Sequence, residues 1–329
     1  MKPFAYVNAR NEREALGALS GTRGRVLPIA GGMDLVALMK DYIAQPERLV
    51  NVKALDSTIK ASAAGLQLGA AVKLVDLAEH PSVRREFPSL ADAAAEVGTP
   101  QIRHMGTVGG NLAQRPRCWY YRNEEFDCLK KGGSRCFAVD GENQYHAILG
   151  GGPCYIVHPS SLAVPLLALG AHVRVASASG TREIAAADFF VPPSQNLAQE
   201  NVLAPNELIT HVIVPPARGA RNATYEVRFK QSHDWPLAMA TAVLDIAGGS
   251  VRAARIVMGA VAPVPWRSEA AEKALAGKAV SEQTASAAAE AALKDAQPMT
   301  GNAYKVQIAR TAVKRAILKA AGLPVPAGA

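Results

Sequence analysis

No stretch of this 329-residue chain approaches the roughly 18 unbroken apolar residues of a membrane-spanning helix. Its start, MKPFAYVNARNEREALGALS, lacks the basic patch, apolar run and small-residue cleavage site of a secretory signal. The expectation is a chain made and folded in the cytoplasm, without a membrane span. Aromatic residues are 5% of the sequence, too sparse for a base-stacking platform, and no long run of like charges occurs. Nucleic-acid binding is therefore disfavoured, although Lys and Arg outnumber Asp and Glu by 36 to 28. A basic surface facing an acidic partner or an anionic cofactor explains the formal charge of +8 equally well. Neither GxGxxG nor GxxxxGK(S/T) is present, which leaves Rossmann and P-loop readings unsupported. No CxxC pair exists, so the usual zinc-knuckle and thioredoxin signals are missing, and there is no internal repeat.

What is present is an ordinary globular composition, 49% hydrophobic and 19% charged, in a chain long enough for two domains. Patterning predicts strands at 4–7, 26–29, 48–52 and 66–70, and helices at about 11–19, 35–39, 74–79 and 89–97. From Arg115 to about Gly152 periodicity is lost and glycine and basic residues accumulate, as in a functional loop. Order resumes at 155–157, with a helix over 163–169 and a strand over 172–176. Antiparallel strands follow at 224–229, 238–246 and 255–260, with Gly248-Gly249 as a turn. Ala-rich helices at 268–275, 281–296 and 304–320 close the chain, and the tip Pro324-Val325-Pro326 is expected to fray.

All four cysteines fall within that aperiodic loop: Cys118, Cys128, Cys136 and Cys154, separated by nine, seven and seventeen residues. Random placement would scatter them over the chain. Two disulfides, a zinc ion and an iron–sulfur cluster all suit four thiols. Disulfides fit the even count but not a reducing compartment, and zinc is more often held by close-spaced pairs. A [4Fe-4S] cluster takes four thiolates and favours nearby positive charge, which Arg115, Arg117, Arg122, Lys130, Lys131 and Arg135 supply. The spacing alone leaves all three open.

Two segments carry a glycine pair followed by a polar side chain: Ile29-Ala30-Gly31-Gly32-Met33-Asp34-Leu35 and Thr107-Val108-Gly109-Gly110-Asn111. Either is explained by a tight turn. Their parallel form, facing each other, would offer convergent amide donors to a pyrophosphate. His104 and His158 adjoin these segments and are read as hydrogen-bonded structural residues, and Tyr155 as packing.

Ala30-Gly31-Gly32, the stretch from Gln101-Ile102-Arg103 to Gly106-Thr107-Val108-Gly109-Gly110-Asn111-Leu112, His158-Pro159-Ser160 and Asn302-Ala303-Tyr304 together resemble the FAD-binding subunits of xanthine dehydrogenases and other molybdenum hydroxylases. The resemblance covers nearly the whole chain. It implies an α+β protein: a two-part FAD-binding domain of the vanillyl-alcohol-oxidase (PCMH) type over 1–218, then a C-terminal domain of the CO dehydrogenase flavoprotein type over 219–329, with an antiparallel sheet and helices. Carried over, both glycine segments bind the FAD diphosphate, through Leu27, Pro28, Ile29, Ala30, Gly31, Gly32, Met33, Asp34 and Leu35 and through Thr107, Gly109, Gly110 and Asn111. Ser161 stands where the family commonly has an aspartate near the flavin, and Lys230 matches a lysine that approaches it.

The loop at about 115–154 resembles the [4Fe-4S] insertion of a subgroup that includes periplasmic aldehyde oxidoreductases and the beta subunit of 4-hydroxybenzoyl-CoA reductase. Gln114-Arg115-Pro116-Arg117-Cys118 is most similar to the aldehyde oxidoreductase form. That resemblance implies Cys118, Cys128, Cys136 and Cys154 as cluster ligands. It implies as partners a large molybdopterin-binding subunit, a small [2Fe-2S] subunit and an external electron acceptor, with this chain passing electrons and supplying no general acid or base. A partner's signal would place the complex in the periplasm by co-export. The beta subunit of a 4-hydroxybenzoyl-CoA reductase or of a xanthine dehydrogenase-like enzyme, and a stand-alone flavoprotein oxidase, are the alternatives, and substrate and acceptor stay open.

Overall fold

Val26–Ile29 ends one strand of a small parallel sheet and runs directly into Gly31-Gly32, at the carboxyl edge where open parallel sheets receive ligands. The computed structural model describes residues 1–230 and 233–325; Pro326, in the tip expected to fray, lies outside the described residues. In that first sheet β1 (Ala5–Asn8) and β2 (Val26–Ile29) flank β3 (Arg48–Asn51), both parallel to it. Helix Glu12–Ala18 makes the first crossover; Asn11 caps it by accepting the Glu14 amide at 2.9 Å.

A five-stranded antiparallel sheet follows, in the order β4 (Ile59–Ser62), β5 (Gly65–Gly69), β8 (Leu208–Val214), β6 (His172–Ser177), β7 (Gly180–Ala185). Alternation drives its burial: Leu66 and Leu68, Val173 and Val175, Val212 and Val214 all point inward, into a core shared with the helices Leu74–Glu79 and Pro88–Ala95. Residues 108–112 form a short helix, Val108–Leu112, capped by Thr107, where the sequence suggested a glycine turn. Strands β4, β7 and β8 and the helices Pro81–Glu86 and Pro100–Met105 escaped the pattern reading.

The C-terminal part is a four-stranded antiparallel sheet ordered β12 (Trp266–Arg267), β11 (Ser250–Gly259), β10 (Ala238–Ala247), β9 (Arg221–Val227). Gly248 and Gly249 turn β10 into β11 with φ of 60° and 81°, a left-handed pair that glycine adopts freely. Helix Tyr304–Ala321 lies on this sheet, burying Ala309, Ala312, Val313, Ala316, Ile317 and Ala320 at helical spacing. Small side chains on both surfaces, Ala238, Ala240 and Ala242 on β10, let helix and sheet approach closely. Gly322, at φ 74°, ends the helix. Helix Ala163–Ala168 packs on the same sheet through Val164 and Ala168 against Met239 and Val257, joining the two parts. The α+β architecture with a helix-covered antiparallel sheet at the C-terminus is the one the resemblance implied.

Candidate functional site

The two glycine segments meet. A Cβ on Gly31 would stand 2.0 Å from the Met105 carbonyl oxygen and 3.2 Å from the Gly106 nitrogen. Between them opens a cavity of roughly 520 Å3, within the range of a cofactor site. Residues 27–35 all line it, with Thr107, Gly110, Asn111 and Ser161. Two of the implied contacts lie outside that lining. Gly109 is turned onto the sheet, where its amide donates to the Ala70 carbonyl at 3.0 Å, and Lys230 is exposed beyond the end of β9.

The amides of the two segments differ in availability. Val108 donates to Val72 (2.9 Å), Gly109 to Ala70 (3.0 Å) and Asn111 to Thr107 (2.8 Å), while Gly110 donates to the Thr107 hydroxyl (3.2 Å). The second segment's amides are thus consumed by its own helical turn and by β5's continuation. Among the described residues no protein group accepts from the amides of Gly31, Gly32, Met33 and Asp34. Unclaimed amides are the currency of anion binding, so the donors converge from the first segment rather than from both. The second segment contributes close approach, and its Asn111 side chain is occupied in fixing the 158–162 turn, accepting from the Ser160 hydroxyl at 2.6 Å and the Leu162 amide at 3.4 Å.

Asp34 ties this cavity to the cysteine loop. Its carboxylate accepts from the Arg115 amide (2.8 Å), from the Arg122 guanidinium (2.6 Å) and from Arg117. Burial acts to raise its pKa, but Arg117, Arg122 and the Arg115 amide outweigh burial and hold the carboxyl below its usual value. A second clamp comes from residues 197–200: the buried Lys130 ammonium pairs with Glu200 at 2.5 Å and donates to the Leu197 carbonyl at 2.8 Å, and Arg115 Nε meets Glu200 at 2.6 Å.

All four cysteines are free thiols, which removes the disulfide reading. Nearby backbone amides act to lower the pKa of three of them: those of Tyr121 and Tyr120 at Cys118, of Tyr155, Ala138 and Val139 at Cys136, and of Ile156 at Cys154. The Cys136 and Cys154 thiols share a hydrogen bond, which pulls Cys136 down to about 6 and pushes Cys154 up. Burial, with the nearby Cys136 and Cys128 adding to it, lifts Cys118 to about 11. Cys136 thus stands beside Cys154, and Cys118 near Cys136 and Cys128, within one loop. Among the described residues no group of three or more His, Cys, Asp or Glu is arranged to hold a single metal ion.

A second cavity, roughly 480 Å3 and largely apolar, lies beside the first. Arg117, Pro159, Ser161 and Trp235 line both, and Cys118, His146 and Lys305 line only the second. The glycine cavity and the cysteine loop are therefore neighbours through a shared wall. His158 is buried behind that wall; burial, then Lys130, pushes its pKa down to about 3, and its Nδ1 accepts from the Ser160 amide at 3.3 Å. His104 Nδ1 sits 2.7 Å from the Pro100 carbonyl. Among the described residues His158 Nε2 is buried without a partner, so the hydrogen bonding expected of these histidines is only partial there.

Asn302, just before the last helix, and Lys305, in its first turn, reach across to the cysteine loop. Asn302 donates to the His146 and Ala147 carbonyls (3.1 and 3.4 Å), and Lys305 donates to the carbonyls of Tyr145, His146 (both 3.1 Å) and Ala260 (2.6 Å). Burial pulls the Lys305 ammonium down to about 7. The start of the last helix thereby holds the far end of the cysteine loop. Lysine and asparagine so spaced at a helix start resemble any solvated cap, so only the fold reveals this.

Residues 2–217 match the FAD binding domain in molybdopterin dehydrogenase, and residues 223–320 the CO dehydrogenase flavoprotein C-terminal domain. The chain belongs to the FAD-binding medium-subunit family of the molybdenum hydroxylases. It is 34% identical over 325 residues to the aldehyde oxidoreductase FAD-binding subunit PaoB of Escherichia coli, covering 97% of this chain and 99% of that protein. Among solved structures, quinoline 2-oxidoreductase from Pseudomonas putida 86 superposes with a TM-score of 0.76 at 26% identity, over 98% of this chain and 99% of that one. Carbon monoxide dehydrogenase from Hydrogenophaga pseudoflava superposes with the same score and coverage at 28% identity. Among the described residues no helix is long and apolar enough to cross a membrane.

Proposed function

We propose that this chain is the FAD- and [4Fe-4S]-carrying subunit of a heteromeric molybdenum hydroxylase that oxidises aldehydes, completed by a large molybdopterin-binding subunit and a small [2Fe-2S] subunit. When bound, FAD and the cluster supply the redox chemistry, taking electrons from the partners' centres toward an external acceptor. The observation that carries the reading is the shared wall: a dinucleotide-sized cavity, with amides unclaimed among the described residues, abuts the loop that carries all four free cysteines. Its likeness to the aldehyde oxidoreductase subunit favours aldehydes over purines, since the putative xanthine dehydrogenase FAD-binding subunit of the same bacterium is 22% identical. Co-export by a signal-bearing partner accommodates a periplasmic complex, and cytoplasmic residence remains the alternative.

On this reading the amides of residues 31–34 bind the diphosphate, with Arg115 and Arg117 adding positive charge at the cavity wall. Thr107, Gly110 and Asn111 shape the opposite wall, and Ser161 stands where the two cavities join. Cys118, Cys128, Cys136 and Cys154 bind the cluster. A single ion needs its sulfur ligands about 2.3 Å from one point, whereas a four-iron cluster takes each thiolate on a different iron, so its ligands stand wider apart. Amide donors and the buried Lys130 offset the charge of such a cluster. The FAD-binding part extends over 1–218 with its insertion at about 115–154, and the C-terminal part over 219–329. No side chain of this chain acts as general acid or base.

The test is anaerobic purification of the chain with its partners, followed by absorption spectroscopy with iron and flavin quantitation. Flavin and four irons per chain are expected. Cys128→Ser should bring iron toward zero while leaving FAD bound, and unchanged iron would reject the ligand assignment. Aldehyde turnover by the chain without partners would show a stand-alone oxidase instead.

A further inference from the structure

We infer that His146 tunes the proposed cluster by donating its Nε2 proton to the Cys118 sulfur, which makes the cluster easier to reduce. The inference rests on the [4Fe-4S] reading above. His146 Nε2 stands 3.3 Å from Cys118 Sγ, and among the described residues it is the side-chain nitrogen within hydrogen-bond reach of a cysteine sulfur.

The tautomer follows from the surroundings. Among the described residues, Nδ1 of the same ring is buried without a partner. A neutral imidazole carries one N–H, and leaving that donor buried without an acceptor costs more than leaving a lone pair bare. The proton therefore belongs on Nε2, where the sulfur accepts it.

The ring has little freedom to leave. Its own amide donates to the Asn143 carbonyl at 3.0 Å, and its carbonyl receives Asn302 and Lys305, both at 3.1 Å. Trp119 and Tyr120 pack against it with centroids at 5.8 and 6.2 Å. The contact is thus built by the two ends of the loop, Trp119-Tyr120 and the segment around Asn143, and by the start of the last helix.

A hydrogen bond to a ligating sulfur stabilises the more negative, reduced cluster more than the oxidised one, and does so strongly where water is excluded. Removing it should disfavour reduction. Of the four cysteines Cys118 lines the cavity beside the proposed flavin site, so His146 would act on the thiolate that faces that cavity. His146 is accordingly a positioning residue that works through Cys118.

The experiment is an EPR-monitored potentiometric titration of the full-length chain, with iron and flavin quantitated in each variant. His146→Phe keeps an aromatic ring and deletes the donor. The reduction equilibrium of the cluster is expected to shift about tenfold against reduction, which is about 59 mV for one electron. His146→Gln, which retains an N–H, should recover most of that shift, and the flavin potential should stay unchanged in both. Full iron content with an unshifted cluster potential in His146→Phe would overturn the tuning role and leave the cluster reading standing. Iron lost from both variants would make His146 a ligand or a folding element and would also overturn it. A wild-type chain without iron would instead bring down the cluster reading itself.

Discussion

Replacing Gly31 by alanine tests the proposed diphosphate site with a single methyl group. Its backbone is not left-handed, so the substitution carries no conformational penalty of its own; the effect is steric. The added Cβ would stand 2.0 Å from the Met105 carbonyl oxygen and 2.6 Å from its carbon, both backbone atoms that no rotamer can move aside. The two segments must separate by roughly 1 Å or more to restore ordinary contact. Overpacking of this kind costs about 1–3 kcal/mol. Because both segments line the cavity, much of that strain falls on the bound geometry, and each 1.4 kcal/mol expressed there weakens binding about tenfold. FAD affinity should fall about 10- to 100-fold, read by titrating flavin into the deflavinated chain and following fluorescence quenching. Gly132→Ala is the control: at φ 98° it is strained, but open space surrounds it and it lies in the cysteine loop away from the cavity. It should cost about 1 kcal/mol of stability and leave FAD affinity alone. Wild-type flavin affinity in Gly31→Ala would refute the reasoning that this close approach shapes the site.

Two further substitutions probe charge. Asp34→Asn leaves the Arg117 and Arg122 guanidiniums without their counter-ion; a loss of roughly 2–3 kcal/mol is expected, and flavin and iron retention should decline together because Asp34 links the two sites. Loss of only one of the two would show that the link is not shared. Glu226 is buried with both carboxyl oxygens unpartnered among the described residues, and burial raises it to about 8 from 4.5; Arg228 stands 3.6 Å away but is engaged by Glu96. The folded state therefore binds more protons between pH 4.5 and 8, and stability falls as pH rises through that window. Glu226→Gln should remove this fall, stabilising the chain by at most about 5 kcal/mol at pH 8.5 and little at pH 5. Thermal melts at the two pH values check it, and equal shifts at both would contradict the assignment.

Strand Val26–Ile29 and helix Leu74–Glu79 were legible to the residue, because alternation and helical spacing are local properties of the chain. The long antiparallel strands and the Ala-rich helices of the C-terminal part were legible to within a few residues for the same reason. Strand β7 was not: Gly180–Ala185 is an exposed edge with no buried face to imprint a pattern. The helical turn at Val108–Leu112 was hidden as well, since a glycine pair signals a turn and only the Thr107 cap and the Val72 and Ala70 carbonyls make it helical.

The sequence by itself determined the family, the α+β class, the two glycine segments and the one loop that holds every thiol, since each is a matter of residue type and spacing. Tertiary structure decided which amides are free. Among the described residues those of 31–34 are unclaimed and those of 108–111 taken, Val108 and Gly109 by carbonyls some forty residues upstream and Gly110 and Asn111 by Thr107. The fold also brought Asn302 and Lys305 across more than 150 residues to His146. Hydrogen bonds between distant segments are satisfied only after the chain has closed on itself, so no local pattern announces them.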